Sequence, residues 1–188
     1  MDSQINFNTS MLIENLTTAV KIADGQRSEE TLATLPSCHL AVSIIESIKK
    51  IYGDAQELII PPAPSNKGGV SKQINRYLKL VTTFQEIYGD GPITIIRAPA
   101  RINIIGEHID YIKYFQTCVL PFGSREYDML MAMRKRDDDC IRAATTAEGL
   151  EPKEFRIREV NLEKVWNLFK VHTNRDDYWL QYLTSSIT

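Results

Sequence analysis

Ile93-Thr-Ile-Ile-Arg-Ala-Pro-Ala-Arg-Ile-Asn-Ile-Ile-Gly-Glu-His-Ile-Asp-Tyr111 is where the chain turns from helical to extended periodicity. Its β-branched runs, 93–96 and 102–105, predict a sheet region, and Gly91-Pro92 just ahead bars a helix from continuing. The same stretch holds Arg97, Arg101, Asn103, Glu107, His108 and Asp110. Charged groups are seldom set beside such apolar runs unless they are paired or used, so the function is expected to be written here.

Upstream, apolar residues fall at helical spacing from about residue 8 to residue 53. Met11, Leu12, Leu16, Val20 and Ile22 mark one helix, closed by Asp24-Gly25. Leu32, Leu40, Ile44, Ile45, Ile48 and Ile51 mark a second, closed by Gly53. Residues 60–69, rich in Pro and ending in Gly68-Gly69, read as a linker. A third helix over 71–88 carries Ile74, Leu78, Val81, Phe84 and Ile87 and stops at Gly89. Ile51-Tyr-Gly-Asp54 and Ile87-Tyr-Gly-Asp90 echo each other as two similar helix stops, far short of a repeat signature. Downstream, strands are expected over 115–120, 127–134, 140–145 and 155–160, with the charged turn Lys135-Arg-Asp-Asp-Asp139 joining two of them, then helices over 162–169 and from Asp176 onward. The expected fold class is α+β, helices preceding and following a mixed sheet.

With 188 residues, 43% hydrophobic and 24% charged, the composition is that of an ordinary globular protein. A formal charge of -2 argues against a general nucleic-acid binder. Cys38, Cys118 and Cys140 show no C-x-x-C spacing, so neither a disulfide framework nor a zinc knuckle is indicated. No run approaches the roughly 18 apolar residues of a membrane span, and the polar start lacks a signal peptide, so a cytoplasmic location is expected.

On a strand beginning at Arg101, alternation sends Arg101, Asn103 and Ile105 to one face and Ile102, Ile104 and Gly106 to the other. Glu107, His108 and Asp110 then gather past the flexible Gly106. Such a cluster suits sugar recognition, because ionised carboxylates accept from adjacent hydroxyls and a buried site rejects an epimer that leaves its groups unpaired. Metal binding fits less well, since Glu107 and His108 point apart on an extended chain and no second ligand cluster follows. Acid–base chemistry lacks a partner nucleophile. An ion pair of Arg101 with Glu107 or Asp110 would account for any one charged group, but not for the whole constellation.

Ala98-Pro-Ala-Arg-Ile-Asn-Ile-Ile-Gly-Glu-His-Ile-Asp-Tyr111 resembles the N-terminal signature of galactokinases, within the galactokinase, homoserine, mevalonate and phosphomevalonate (GHMP) kinase superfamily. Matching features on both sides extend the resemblance over residues 71–188. Residues 1–70, read above as helices and a Pro/Gly linker, would be an added N-terminal extension, and over 71–188 the resemblance implies the N-terminal mixed-sheet domain of a GHMP-type kinase, truncated before the phosphate-binding loop. It implies the reaction ATP + galactose giving galactose 1-phosphate + ADP. Glu107, His108 and Asp110 would hold galactose, with Ile109 and Tyr111 beside them, and Arg101 would stabilise charge in the transition state. Thr145 would lie on the nucleotide side. ATP and Mg²⁺ are the implied co-substrate and metal, with no metal ligand expected in this chain. The expected partner is galactose or a close analogue such as N-acetylgalactosamine, with residues 1–70 a candidate surface for a protein partner.

The sequence departs from the family pattern in three places. Ala100 replaces the usual Gly, the link 112–118 is longer than usual, and the Gly/Ser phosphate loop is absent. Because phosphoryl transfer depends on phosphate positioning, the chain alone is expected to have little kinase activity. The alternative is a non-catalytic galactose-sensing or interaction protein that uses residues 1–70 to bind a partner. A third reading, an incomplete remnant, would expose a large apolar patch.

Overall fold

The computed structural model describes residues 8–28, 38–52, 69–105 and 119–159. Helix α1 (Thr9–Ala23) starts where Asn8 Oδ1 accepts the Met11 N–H at 2.9 Å, and ends where Gly25 takes φ +73°. Helix α2 spans His39–Tyr52 and α3 spans Gly69–Tyr88. Gly89, at φ +76°, closes α3 by donating its N–H to Gln85 O at 2.8 Å. The Ile87-Tyr-Gly-Asp90 segment thus ends α3 as a helix stop, whereas Gly53 and Asp54 of the other segment lie outside the described residues. Helix α3 begins at Gly69, within the stretch expected to be linker, because Gly is tolerated at a helix start and Pro-free sequence follows.

The predicted apolar stripes meet in one core. Leu12, Leu16 and Ala19 of α1, Ala41, Ile44, Ile45 and Ile48 of α2, and Ile74, Tyr77, Val81 and Phe84 of α3 are all buried, with Ile93 joining them ahead of the sheet. Helices on both sides of residue 70 share this core.

The α+β class holds. Strand β1 (Thr94–Ile105) pairs antiparallel with β2 (Leu120–Met133). A second antiparallel pair, β3 (Cys140–Ala143) with β4 (Lys153–Arg156), leads into a 3₁₀ turn at Ile157–Glu159. The chain divides into two compact units, 1–134 and 135–188, and each sheet lies within one of them. Among the described residues these two-stranded antiparallel sheets stand in place of the expected mixed sheet. The short β3–β4 connection explains its ladder, since a parallel pair needs a crossover of roughly a dozen residues or more.

Strand β2 is longer than the expected 127–134. Pro121 and Gly123 read as chain breakers, yet they pair with Asn103 and Arg101. Pro is tolerated because β2 makes only one ladder among the described residues, so its missing N–H can face away. The register slips between Pro99 and Arg101, where Ala100 has no partner opposite it. Strand β4 starts before the expected Phe155, directly after Pro152. The helices expected over 162–169 and from Asp176, the linker over 60–68 and most of the strand over 115–120 lie outside the described residues. No described helix is long and apolar enough to cross a membrane.

Leu16 is fully buried in the shared core. Leu16→Ala is expected to destabilise the helical core by about 2–5 kcal/mol, measured by denaturant unfolding followed through far-UV circular dichroism. An unchanged midpoint would contradict the shared core.

Candidate functional site

The β1–β2 hairpin has two unlike faces. Ile95 of β1 and Leu130 and Ala132 of β2 pack against the helical core. On the opposite face Ile96 and Ala98 stand across from Met131 and Met129, and Met129 is 68% exposed. Further along, Ile102 pairs with Phe122 and both are exposed.

A buried carboxylate fixes the hairpin to α3. Asp128, on the inner face of β2, has a side chain only 2% exposed. Arg76 of α3 pairs with its Oδ1 at 2.5 Å and also donates to the Asp128 backbone carbonyl at 3.1 Å. Gln73 Oε1 holds the same guanidinium at 2.8 Å. Arg97 of β1 donates from Nε to Asp128 Oδ2. Because Asp128 lies opposite Pro99, Arg97 reaches it diagonally across the ladder. Burial pushes the Asp128 carboxyl up, but hydrogen bonds from Arg97 and Arg76 and their positive charges outweigh it, leaving the group below its ordinary 3.8. Arg97, noticed in the sequence as misplaced charge, is thus the partner of a carboxylate in the other strand. The signal for Asp128 was available: a lone acid in the run Tyr127-Asp-Met-Leu-Met-Ala-Met133.

Two more polar groups tie the ends of these elements together. Arg134, just past β2, donates to the carbonyls of Tyr88 at 3.3 Å, Gly89 at 3.1 Å and Pro92 at 3.0 Å. It thereby satisfies carbonyls at the end of α3 and lies 5.2 Å from the centre of the Phe84 ring. Gly91 makes room for it: at φ +142°, an added Cβ would come within 3.0 Å of Arg134 Cζ. Asp90 Oδ1 accepts from Thr9 Oγ1 at 2.5 Å and from the Ser10 N–H at 3.1 Å. The Thr9 bond, working against desolvation, lowers the Asp90 carboxyl and suits a carboxylate beside a helix N-terminus.

This framework carries the signature strand outward. Arg101 is exposed and stands opposite Gly123, and Asn103 is half-buried opposite Pro121. The ladder is unbroken from Arg101 to Asn103, so these two share a face, as the alternation predicted. Asn103 Oδ1 is buried and accepts no hydrogen bond among the described residues. Glu107, His108, Ile109, Asp110 and Tyr111 lie outside the described residues, so the structure brings together only Arg101 and Asn103 of the signature. Among the described residues no group of three or more His, Cys, Asp or Glu side chains could hold a metal ion.

In the second unit, Thr145 is half-buried and its Oγ1 accepts the Ala147 N–H at 3.2 Å, which closes a local turn. Arg142 pairs with Glu154 directly across the β3–β4 ladder at 3.1 Å. In the charged turn Asp138 accepts from Arg136 Nε at 2.8 Å, and the guanidinium draws its carboxyl down to about 2.

Residues 82–135, the span from the second half of α3 through the whole hairpin, match the family model of the galactokinase galactose-binding signature. The chain is 38% identical to a galactokinase of Dictyostelium discoideum over 118 residues, 61% of this chain and 20% of that protein. It is 33% identical over 88 residues to a galactokinase of Streptomyces coelicolor, covering 46% of this chain and 22% of that one. With a galactokinase of Candida parapsilosis it shares 35% identity over 106 residues, 56% of this chain and 19% of that protein. The chain therefore carries the galactokinase galactose-binding signature and is related to galactokinases, and it spans about a fifth of the length of these relatives. No solved structure matches it.

The Asp128 anchor has a pH signature. Its folded pKa lies below the unfolded value, so its stabilisation is complete above the ordinary carboxylate range and is lost as pH falls through 3.8 and below. Asp128→Asn is expected to lower stability at pH 7 by about 1–3 kcal/mol, with the gap to the parent protein closing in acid. Denaturant midpoints from pH 7 to pH 2 check this; a gap independent of pH would contradict the anchor.

Proposed function

We propose that this chain supplies the sugar-holding part of a galactokinase-type site. The match of residues 82–135 to the galactose-binding signature carries the reading. Glu107, His108 and Asp110, flanked by Ile109 and Tyr111, hold galactose through its hydroxyls. Carboxylates accept from adjacent hydroxyls, and their fixed placement discriminates between epimers.

The proposed reaction is ATP + galactose giving galactose 1-phosphate + ADP. The C1 hydroxyl oxygen bonds to the γ-phosphorus while the bond from that phosphorus to the β–γ bridging oxygen breaks, and the hydroxyl proton is released. Arg101 opposes the negative charge on the transferring group, a task suited to a planar and permanently charged guanidinium. The position of Arg101 supports this role: it is exposed on a strand anchored to α3 through Arg97 and Asp128, a few residues before the carboxylates. Thr145 is assigned to the nucleotide side. The reaction calls for Mg²⁺, but the described residues hold no cluster that fits it, so no step is assigned to the metal. A cytoplasmic setting and substrate range extending to a close galactose analogue belong to the same proposal.

Galactose is expected to raise the thermal midpoint of the chain in a concentration-dependent way, while glucose, its C4 epimer, has a much smaller effect. Asp110→Ala should abolish the galactose response without lowering the midpoint measured in the absence of sugar. A response equal for both sugars, or one that survives Asp110→Ala, would overturn the assignment.

A further inference from the structure

Asn103 Oδ1 is closed to water and lacks a donor among the described residues. Native structures rarely leave a buried amide oxygen in that state, and the exceptions call for a physical explanation. Its surroundings narrow the choice of donor. The residue opposite is Pro121, which has no N–H to give. Beyond Asn103 the register slips before Ile105, so the ladder offers no regular donor there either. Past that slip Ile105 stands opposite Leu120, and both are apolar. In the other direction the next residue on the same face is Arg101, opposite Gly123. Two residues along a strand span about 7 Å, within the reach of an arginine side chain, and a guanidinium carries five donors.

We infer that Asn103 is a positioning residue for Arg101: with a phosphorylated sugar bound, Asn103 Oδ1 accepts one guanidinium N–H and aims the remaining donors at the phosphoryl oxygens. This rests on the role given to Arg101 under the proposed function. An arginine that holds a phosphate must keep one rotamer, and an acceptor on the same strand face favours that rotamer. Asn suits the task because its amide accepts without neutralising the arginine's charge.

Affinities of the full chain for galactose and galactose 1-phosphate, measured by titration calorimetry, test the inference. Arg101 should make the phosphorylated sugar bind roughly tenfold more tightly than galactose, and Arg101→Ala should remove that preference. Asn103→Leu and Asn103→Ala should each lose most of the preference while leaving galactose affinity within about twofold. Asn103→Gln, which keeps a neutral amide acceptor, should retain more of the preference than either, and Asn103→Leu added to Arg101→Ala should cost nothing more. Retention of the full preference in both Asn103→Leu and Asn103→Ala, with Arg101→Ala losing it, would overturn the inference and leave the proposed function standing. If Arg101→Ala keeps the preference, the role of Arg101 fails and the inference fails with it. Thermal midpoints without sugar identify any variant that has not folded, and the other Asn103 substitution then decides.

Discussion

A carboxylate buried between two arginines is the constraint on which the signature strand depends. Asp128 holds Arg76 of α3 and Arg97 of β1, so one acid fixes helix, first strand and second strand together. Burying a charge is unfavourable unless it is paired, and here Arg97 donates a hydrogen bond to Oδ2 while Arg76 stands as an ion pair against Oδ1. The cluster sits just before the register break at Ala100. Behind that break the strand is tied down; beyond it the strand presents Arg101 and Asn103. Arg134 and Asp90 reinforce the same frame at its other end, joining the end of β2 to the end of α3 and the start of α1.

The two faces of the hairpin divide its labour. Ile95, Leu130 and Ala132 pack on the helices and give the strands a rigid backing. The opposite face shows Ile96, Met129, Met131 and Met133 to solvent, and past the register break Ile102 and Phe122 are exposed as well. A binding strand benefits from rigid support, because a displaced catalytic group loses much of its effect.

Much of this was legible in the sequence. The apolar stripes of α1, α2 and α3 predicted the helices and their large aliphatic core residues, because a helix can bury only one face and the 3.6-residue period records which, while Ala19, Ala41 and Tyr77 were not singled out. Gly25 and Gly89 were readable as helix stops for the same local reason, their positive φ. Strand β2 was harder. Pro121 and Gly123 break most strands, and only a ladder that leaves the proline's missing N–H unneeded allows them. Among the described residues the pairing is antiparallel in both sheets and not that of the expected mixed sheet, because local periodicity indicates that a strand exists and not what it pairs with. At the site, alternation placed Arg101 and Asn103 together correctly. The link from Arg97 to Asp128 was not visible, since it joins residues distant in sequence through a cross-strand diagonal that requires the register.

The account's central claim is that galactose binds at the outer end of the anchored strand, past Arg101. Backbone amide NMR of the isotope-labelled chain during a galactose titration tests it most directly. The account predicts saturable shifts concentrated on residues 101–111, with the buried amides around Leu16 and Val81 unmoved. Shifts that spread evenly over the chain, or that leave residues 101–111 unchanged, would contradict it.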